Sequence, residues 1–263
     1  MQVMTEWNAS EYARISTLQA VMAEEVLSLL DFKGTEQILD VGCGNGKTTA
    51  EIASRVPQGG VVGVDASADM IAFAAAHRDL HPNLKFAVAD ARNLPYQRQF
   101  DRVVSFNALH WVPEQDQALR SIHSALKPDG LAQLRLVPKG DRKSLEDVLE
   151  ETRLSPRWSE YFRRFRDPYL HLTADQYGNL AERNGFEVRR NRVEPKAWDF
   201  QTRSAFLTFG SVTFVEWTQH LPEPQRVAFA TDVLDRYQQV AADAPGEENF
   251  FRFYQMDITL SPR

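Results

Sequence analysis

Residues 39–46, LDVGCGNG, constrain this chain more than any other segment. Residues 38–41 are apolar and β-favouring, as a buried strand would be, and residues 47–56 (KTTAEIASRV) suit the helix that follows. Gly42, Gly44 and Gly46 fill the turn between them. Glycine lets a backbone turn sharply and lets a ligand approach the main chain, while a helix start offers unpaired N–H groups to its polar end. A bulky side chain here would block that approach.

Two well-known loops come close to this pattern and each lacks a required residue. Gly46, Lys47 and Thr48 read GKT, but a phosphate loop of the GxxxxGK[ST] type needs a glycine at position 41, which is valine. A dinucleotide loop needs GxGxxG, and here the last place is Lys47.

Beyond the loop, strand and helix patterns alternate: strands near 37–41, 61–65, 84–88, 101–106 and 130–137, with helices over 46–55, 67–78 and 114–126. This is the rhythm of a parallel α/β sheet. Ser67 and Asp69 start the second crossover helix, and Pro128, Asp129 and Gly130 are expected to form a turn after the 114–126 helix. Upstream, Ser10 caps an expected helix to about Leu30, with Leu18, Val21, Met22, Val26, Leu29 and Leu30 at helical spacing. Residues 251–260 alternate and suit a final strand paired with one near 186–193. The expected division is one domain over 1–263: an N-terminal helical arm (1–33), a cofactor-binding core (34–137), a helical lid insertion (138–182) and a C-terminal strand-helix-strand unit (183–263).

With 263 residues and 43% hydrophobic content, the chain can bury one sizeable core. A net charge of -6 argues against nucleic acid as a partner, since that affinity leans on a basic surface. No segment approaches 18 uninterrupted apolar residues and the first residues lack an apolar signal core, so no membrane partner and a cytoplasmic location are expected. The single cysteine, Cys43, cannot close an internal disulfide and suits a small apolar space in the loop. The six histidines are scattered and no carboxylate cluster has ligand spacing, so no metal site is expected.

Five motifs stand in register: DVGCGNG, Asp65 ending the second strand, ADARNLPY (89–96), FDRVVSFNALHW (100–111) and LKPDGLAQLRL (126–136). Over about residues 7–136 the chain resembles the class I S-adenosylmethionine-dependent methyltransferases, and more loosely to its end. That resemblance implies a Rossmann-like fold with a seven-stranded, mostly parallel sheet and an antiparallel last strand. It implies S-adenosyl-L-methionine as cofactor, with Gly42, Gly44 and neighbouring backbone holding the methionine part, Asp65 accepting both ribose hydroxyls, and Asp90 and Ala91 addressing the adenine edge. Asp40, Gly46, Ala66, Met70 and Asn107 complete the implied cofactor set. A carboxylate matches two vicinal O–H donors or an exocyclic amine as charge-assisted bonds.

Within that class, ALHW (108–111) after the fourth strand, with Tyr12 and Gln19 on the first helix, looks most like the juvenile hormone acid methyltransferases and their bacterial relatives; trans-aconitate methyltransferases are next. The resemblance implies that Gln19 and Trp111 hydrogen-bond an acceptor carboxylate, and that Trp7 and Tyr12 close over the cofactor. Amide and indole N–H groups are neutral donors that orient a carboxylate without adding a base. A small-molecule carboxylic acid is the expected substrate. It is ionised at neutral pH and needs no base, whereas a phenol, amine or carbon nucleophile would call on His110. A third possibility is a cofactor-binding partner protein without turnover.

In the 138–182 segment, Trp158, Tyr161, Phe162, Phe165 and Tyr169 interleave with Arg157, Arg163, Arg164 and Arg166. Either the aromatics form a small core with the arginines in water, or the segment is a lid with aromatic walls and an arginine for an anionic end. Phe200, Phe206, Phe209, Phe214 and Trp217 form a second aromatic set that suits core and is compatible with an elongated apolar acceptor.

Overall fold

The computed structural model describes residues 17–76 and 81–263. Helix α1 (Thr17–Leu29) precedes β1 (Gln37–Val41), α2 (Lys47–Arg55), β2 (Gly60–Asp65), α3 (Ala68–Ala75), β3 (Leu84–Val88), β4 (Phe100–Phe106), α4 (Gln115–Ala125) and β5 (Leu126–Leu136). Then come α5 (Leu145–Arg153), α6 (Ala174–Arg183), β6 (Phe186–Asp199), α7 (Arg203–Thr213), α8 (Val215–Thr218), α9 (Glu223–Ala241) and β7 (Phe250–Pro262).

The seven strands form one sheet in the order β3-β2-β1-β4-β5-β7-β6. Pairings among β1 to β5 are parallel, while β7 runs antiparallel to both β5 and β6. The last strand is thus the antiparallel one, inserted between two strands of the opposite direction. Strand β1 is buried from Ile38 to Val41 because both its faces are covered. Ile38 packs with Val26, Leu27 and Ile52 of α1 and α2, and its neighbour Leu39 enters the opposite layer with Leu119 and Ile122 of α4.

Strand order reverses between β1 and β4, and open α/β sheets bind ligands in the crevice outside the carboxyl ends at such a point. The glycine turn after β1 and the 107–111 segment after β4 meet there.

A second core covers this edge. Trp158, Phe162 and Tyr169 pack with Phe206, Phe214, Trp217, Phe229 and Tyr237, and with Phe251 and Phe253 of β7. The aromatics of 138–182 therefore share a core with helices α7 to α9 rather than standing apart from them. The Trp158 indole donates to Asp232 at 2.8 Å, and Arg157 pairs with Asp232 while stacking on Trp158. Arg163 pairs with Glu160. None of the four arginines lines a site cavity.

Two local expectations need correction. The turn expected at Pro128–Gly130 is a break of register within β5: Phe100 pairs with Leu126, and Arg102 pairs with Leu131. The intervening residues are absorbed as an irregularity in the strand, since Leu126 and Leu131 both have partners on β4. The C-terminal unit carries three helices between its strands, because Phe206, Phe209, Phe214 and Trp217 need a shared core to bury them. Among the described residues no helix is long and apolar enough to cross a membrane.

Candidate active site

The glycine turn is held from behind and open in front. Gly42 and Cys43 donate backbone N–H bonds to the Val64 carbonyl at 2.7 and 3.0 Å, tying the turn to β2. Gly42 has φ +77°, and a Cβ there would lie 2.2 Å from the Ala108 methyl, so the turn and the 107–111 segment touch backbone to side chain. Gly44 has φ +53° and faces space, with nothing within 4 Å of a would-be Cβ. Asp65 accepts the Gly44 N–H through Oδ2 and the Ser67 N–H through Oδ1, both at 2.9 Å. The carboxylate thereby fixes the turn beside the start of α3.

Asp40 and Gly46 are placed behind this surface, and neither lines a site cavity. Asp40 is buried, accepts the Thr49 hydroxyl at 2.7 Å, and has its carboxyl pushed up to about 7, chiefly by burial. A Cβ on Gly46 would meet Phe86 and Ala74 under 3 Å away. Both residues support the turn from within. Cys43 is buried, and burial raises its thiol pKa, as a packing residue would show.

In front of the turn lie two cavities. The first, about 180 Å³, is lined by Asp65, Ala66, Met70, Asp90 and Ala91 together with Gly42 and Gly44. Asp90 caps the turn at Ala91–Asn93 and binds the Arg92 guanidinium; burial works against its charge, but those bonds hold its carboxyl below the usual range. The second cavity, about 270 Å³, runs from the glycine turn to the aromatic core, with walls from Met22, Val137, Phe209, Phe251 and Phe253. Phe106, Asn107 and Trp111 line both, so the cavities meet across the end of β4.

Asn107 adopts φ +56°, a left-handed conformation that asparagine tolerates better than most side chains. Its carbonyl oxygen accepts from Gln255 at 3.1 Å, which leaves its NH2 as what it can offer a ligand. Gln115 braces the next turn by donating to the carbonyls of Leu109 and Val112. Trp111 packs edge-on against Tyr169 and Trp217 with ring centroids 5.1 and 6.1 Å away. His110 is buried, its pKa pushed down to about 3 by desolvation, and its Nδ1 accepts the Val137 N–H at 3.3 Å. With Nδ1 accepting, the ring proton sits on Nε2, so His110 is a neutral donor and a poor base.

Gln19 lies on α1, but its side chain, like Tyr12 and Trp7, falls outside the described residues. Residues that sequence reasoning missed are Glu146, Thr213, Phe251 and Phe253 in the larger cavity, and Thr49, Gln115 and Gln255 as supports.

A family profile described as a methyltransferase domain matches residues 38–130. The trans-aconitate 2-methyltransferase of Deinococcus radiodurans is 33% identical over 258 residues, covering 94% of this chain and 95% of that protein. This chain belongs to the class I S-adenosylmethionine-dependent methyltransferases. The enzyme of the same name from Shigella dysenteriae serotype 1 is 28% identical over 252 residues, covering 94% and 93% of the two chains. The fold of this methyltransferase also matches a solved phosphoethanolamine N-methyltransferase 2 from Haemonchus contortus, bound to S-adenosylhomocysteine and phosphomonomethylethanolamine. The TM-score is 0.61 at 19% identity, over 97% of this chain and 57% of that one.

S-adenosylmethionine is the cofactor, and the smaller cavity suits it. Gly44 leaves open room at the main chain, Asp65 places a carboxylate at the β2 end where a diol can be accepted, and Met70, Ala91 and Leu109 supply apolar surface for a ring. Among the described residues no group of three or more His, Cys, Asp or Glu could hold a metal ion.

Proposed function

We propose that this methyltransferase converts a small, largely apolar carboxylic acid to its methyl ester. The observation that carries this is the shared wall of the two cavities: Trp111 and Asn107 line both the cofactor cleft and a mostly apolar cavity. Bound there, S-adenosylmethionine supplies an electrophilic methyl group on a sulfonium sulfur. In-line displacement needs the nucleophile held at about 3 to 3.5 Å with water excluded. The Trp111 indole and the Asn107 amide are neutral N–H donors suited to orient a carboxylate at the junction. Met22, Val137, Phe209, Phe251 and Phe253 shed water around the rest of the acceptor.

No base is required, because a carboxylic acid with an ordinary pKa near about 4 is ionised at neutral pH. That agrees with the state of His110, whose low pKa disfavours a phenol, amine or carbon nucleophile that depends on it. The trans-aconitate methyltransferase relatives support carboxylate methylation. Proposed roles follow for Gly42, Gly44, Asp65, Ala66, Met70, Asp90 and Ala91 toward the cofactor, for Asn107 toward both cofactor and acceptor, and for Trp111 and Gln19 toward the acceptor.

Trp111→Phe tests the assignment, since it keeps the aromatic packing and removes the N–H. Turnover of the best acid is expected to fall about tenfold or more, as for loss of a hydrogen bond to a charged group, while cofactor affinity stays within about twofold. Unchanged turnover with that acid would refute the role of Trp111.

A further inference from the structure

The larger cavity holds a carboxyl that the proposed reaction does not use. Glu146 stands in the first turn of α5, is 5% exposed, and lines this cavity but not the cofactor cleft. It therefore faces the acceptor cavity and not the cofactor cleft, on the side built with Tyr169 and Thr213, and the Tyr169 ring packs 5.1 Å from that of Trp111. Among the described residues the only other charged side chain on the wall is Lys47, which is exposed and follows the glycine turn.

Glu146 has little to compensate its burial. The Ser144 hydroxyl and its own backbone N–H offset desolvation in part. His171 adds a favourable charge, but that imidazole is committed to Asp147 and Asp167. No cation among the described residues is in ion-pair contact with Glu146, and its carboxyl is pushed up to about 7, chiefly by burial. The Asp147 carboxylate next to it raises it further, and the nearby phenols of Tyr169 and Tyr237 are both held neutral by burial. A buried acid short of donors, facing a cavity, is a group that a ligand can complete.

Resting on the carboxylate reading above, we propose that Glu146 determines acceptor specificity by receiving a hydrogen-bond donor, a hydroxyl or an ammonium, that the acceptor carries apart from the carboxylate being methylated. The same residue disfavours polycarboxylates. A second carboxylate in this cavity would face Glu146 with no buried cation to neutralise it, and like charges at close range oppose binding. The substrate class is accordingly a monocarboxylic acid whose apolar body carries a hydroxyl or ammonium donor.

The test is calorimetric titration of the full chain saturated with S-adenosylhomocysteine. The probes are C6 to C12 alkanoates, their ω-hydroxy and ω-amino counterparts, and the tricarboxylate trans-aconitate. At the best chain length an ω-donor acid is expected to bind about tenfold or more tightly than the plain alkanoate, the scale of a hydrogen bond to a charged group. Trans-aconitate is expected to bind more weakly than either. Glu146→Leu is expected to erase the preference, and Glu146→Gln to keep it for the hydroxyl and lose it for the ammonium; S-adenosylhomocysteine affinity reports that each variant is folded. The proposal is overturned if wild type shows no preference for the donor acids, if trans-aconitate binds best, or if the preference survives in a folded Glu146→Leu. Should Glu146→Leu fail to fold, the wild-type series and Glu146→Gln still decide. Turnover with methyl-labelled cofactor in parallel separates the two claims: a donor preference without ester formation upholds Glu146 and refutes carboxylate methylation.

Discussion

Gly42 and Gly44 are two residues apart, yet alanine at each should fail in a different way. At Gly44 the φ of +53° costs an alanine about 1 kcal/mol, and no atom within 4 Å opposes the new methyl. Gly44→Ala should therefore lower the melting temperature by only about 2–4 °C. The same methyl projects into the cofactor cleft, where a ligand must approach the main chain. A loss of about 100-fold in S-adenosylmethionine affinity, near 2.8 kcal/mol, is expected. At Gly42 the new methyl would lie 2.2 Å from the Ala108 methyl, where carbon atoms normally keep about 3.5 Å or more. The backbone must shift by about 1 Å, and overpacking with left-handed strain makes Gly42→Ala roughly 2–4 kcal/mol less stable. Thermal unfolding read beside calorimetric cofactor titration distinguishes the two. Wild-type cofactor affinity in a folded Gly44→Ala would refute the placement of the cofactor against this turn.

Other expectations concern the scaffold. Arg135 is 1% exposed and binds Asp257 through Nε and Nη2 at 2.6 and 2.8 Å, with Glu25 3.5 Å away. Because both carboxylates are partly solvated, Arg135→Leu should cost about 2–3 kcal/mol in urea unfolding rather than the full penalty of a buried orphaned charge; a change under about 0.5 kcal/mol would show that the pair contributes nothing. His171 is raised to about 10 by Asp147 and Asp167. A raised histidine stabilises the fold fully below its unfolded pKa near about 6.5 and loses that contribution as pH rises through about 10. After allowance for solvent screening, wild type should lose about 1–2 kcal/mol between about pH 6.5 and 10 that His171→Ala does not lose, and parallel pH profiles would disprove the pairing.

What could be read from sequence was what neighbours in sequence decide. The β1 strand, the glycine turn and Asp65 lie within one strand-helix-strand unit, and the alternation at 251–260 located β7, which pairs over Phe186–Asp199. The motif could not tell the front of the turn from its back. Asp40 and Gly46 belong to it, yet Thr49, Phe86 and Ala74 claim them from behind. Nor could it supply the acceptor wall. Glu146, Phe209 and Phe251 come from three distant elements, and only the packing of the aromatic core brings them to one cavity. Glu146 sits in a helix with Asp147, Glu150 and Glu151, where nothing local marks the one that is buried.

The central claim is ester formation, and the chemistry of the transferred methyl tests it most directly. The protein is incubated with methyl-labelled S-adenosylmethionine and a panel of fatty, terpenoid, aromatic and tricarboxylic acids beside matched phenols and amines, and the products are treated with alkali. Label released as methanol from a largely apolar acid is the expected result. Label that survives alkali would contradict carboxylate methylation, and cofactor binding with no transfer to any acceptor would point to a binding protein without turnover.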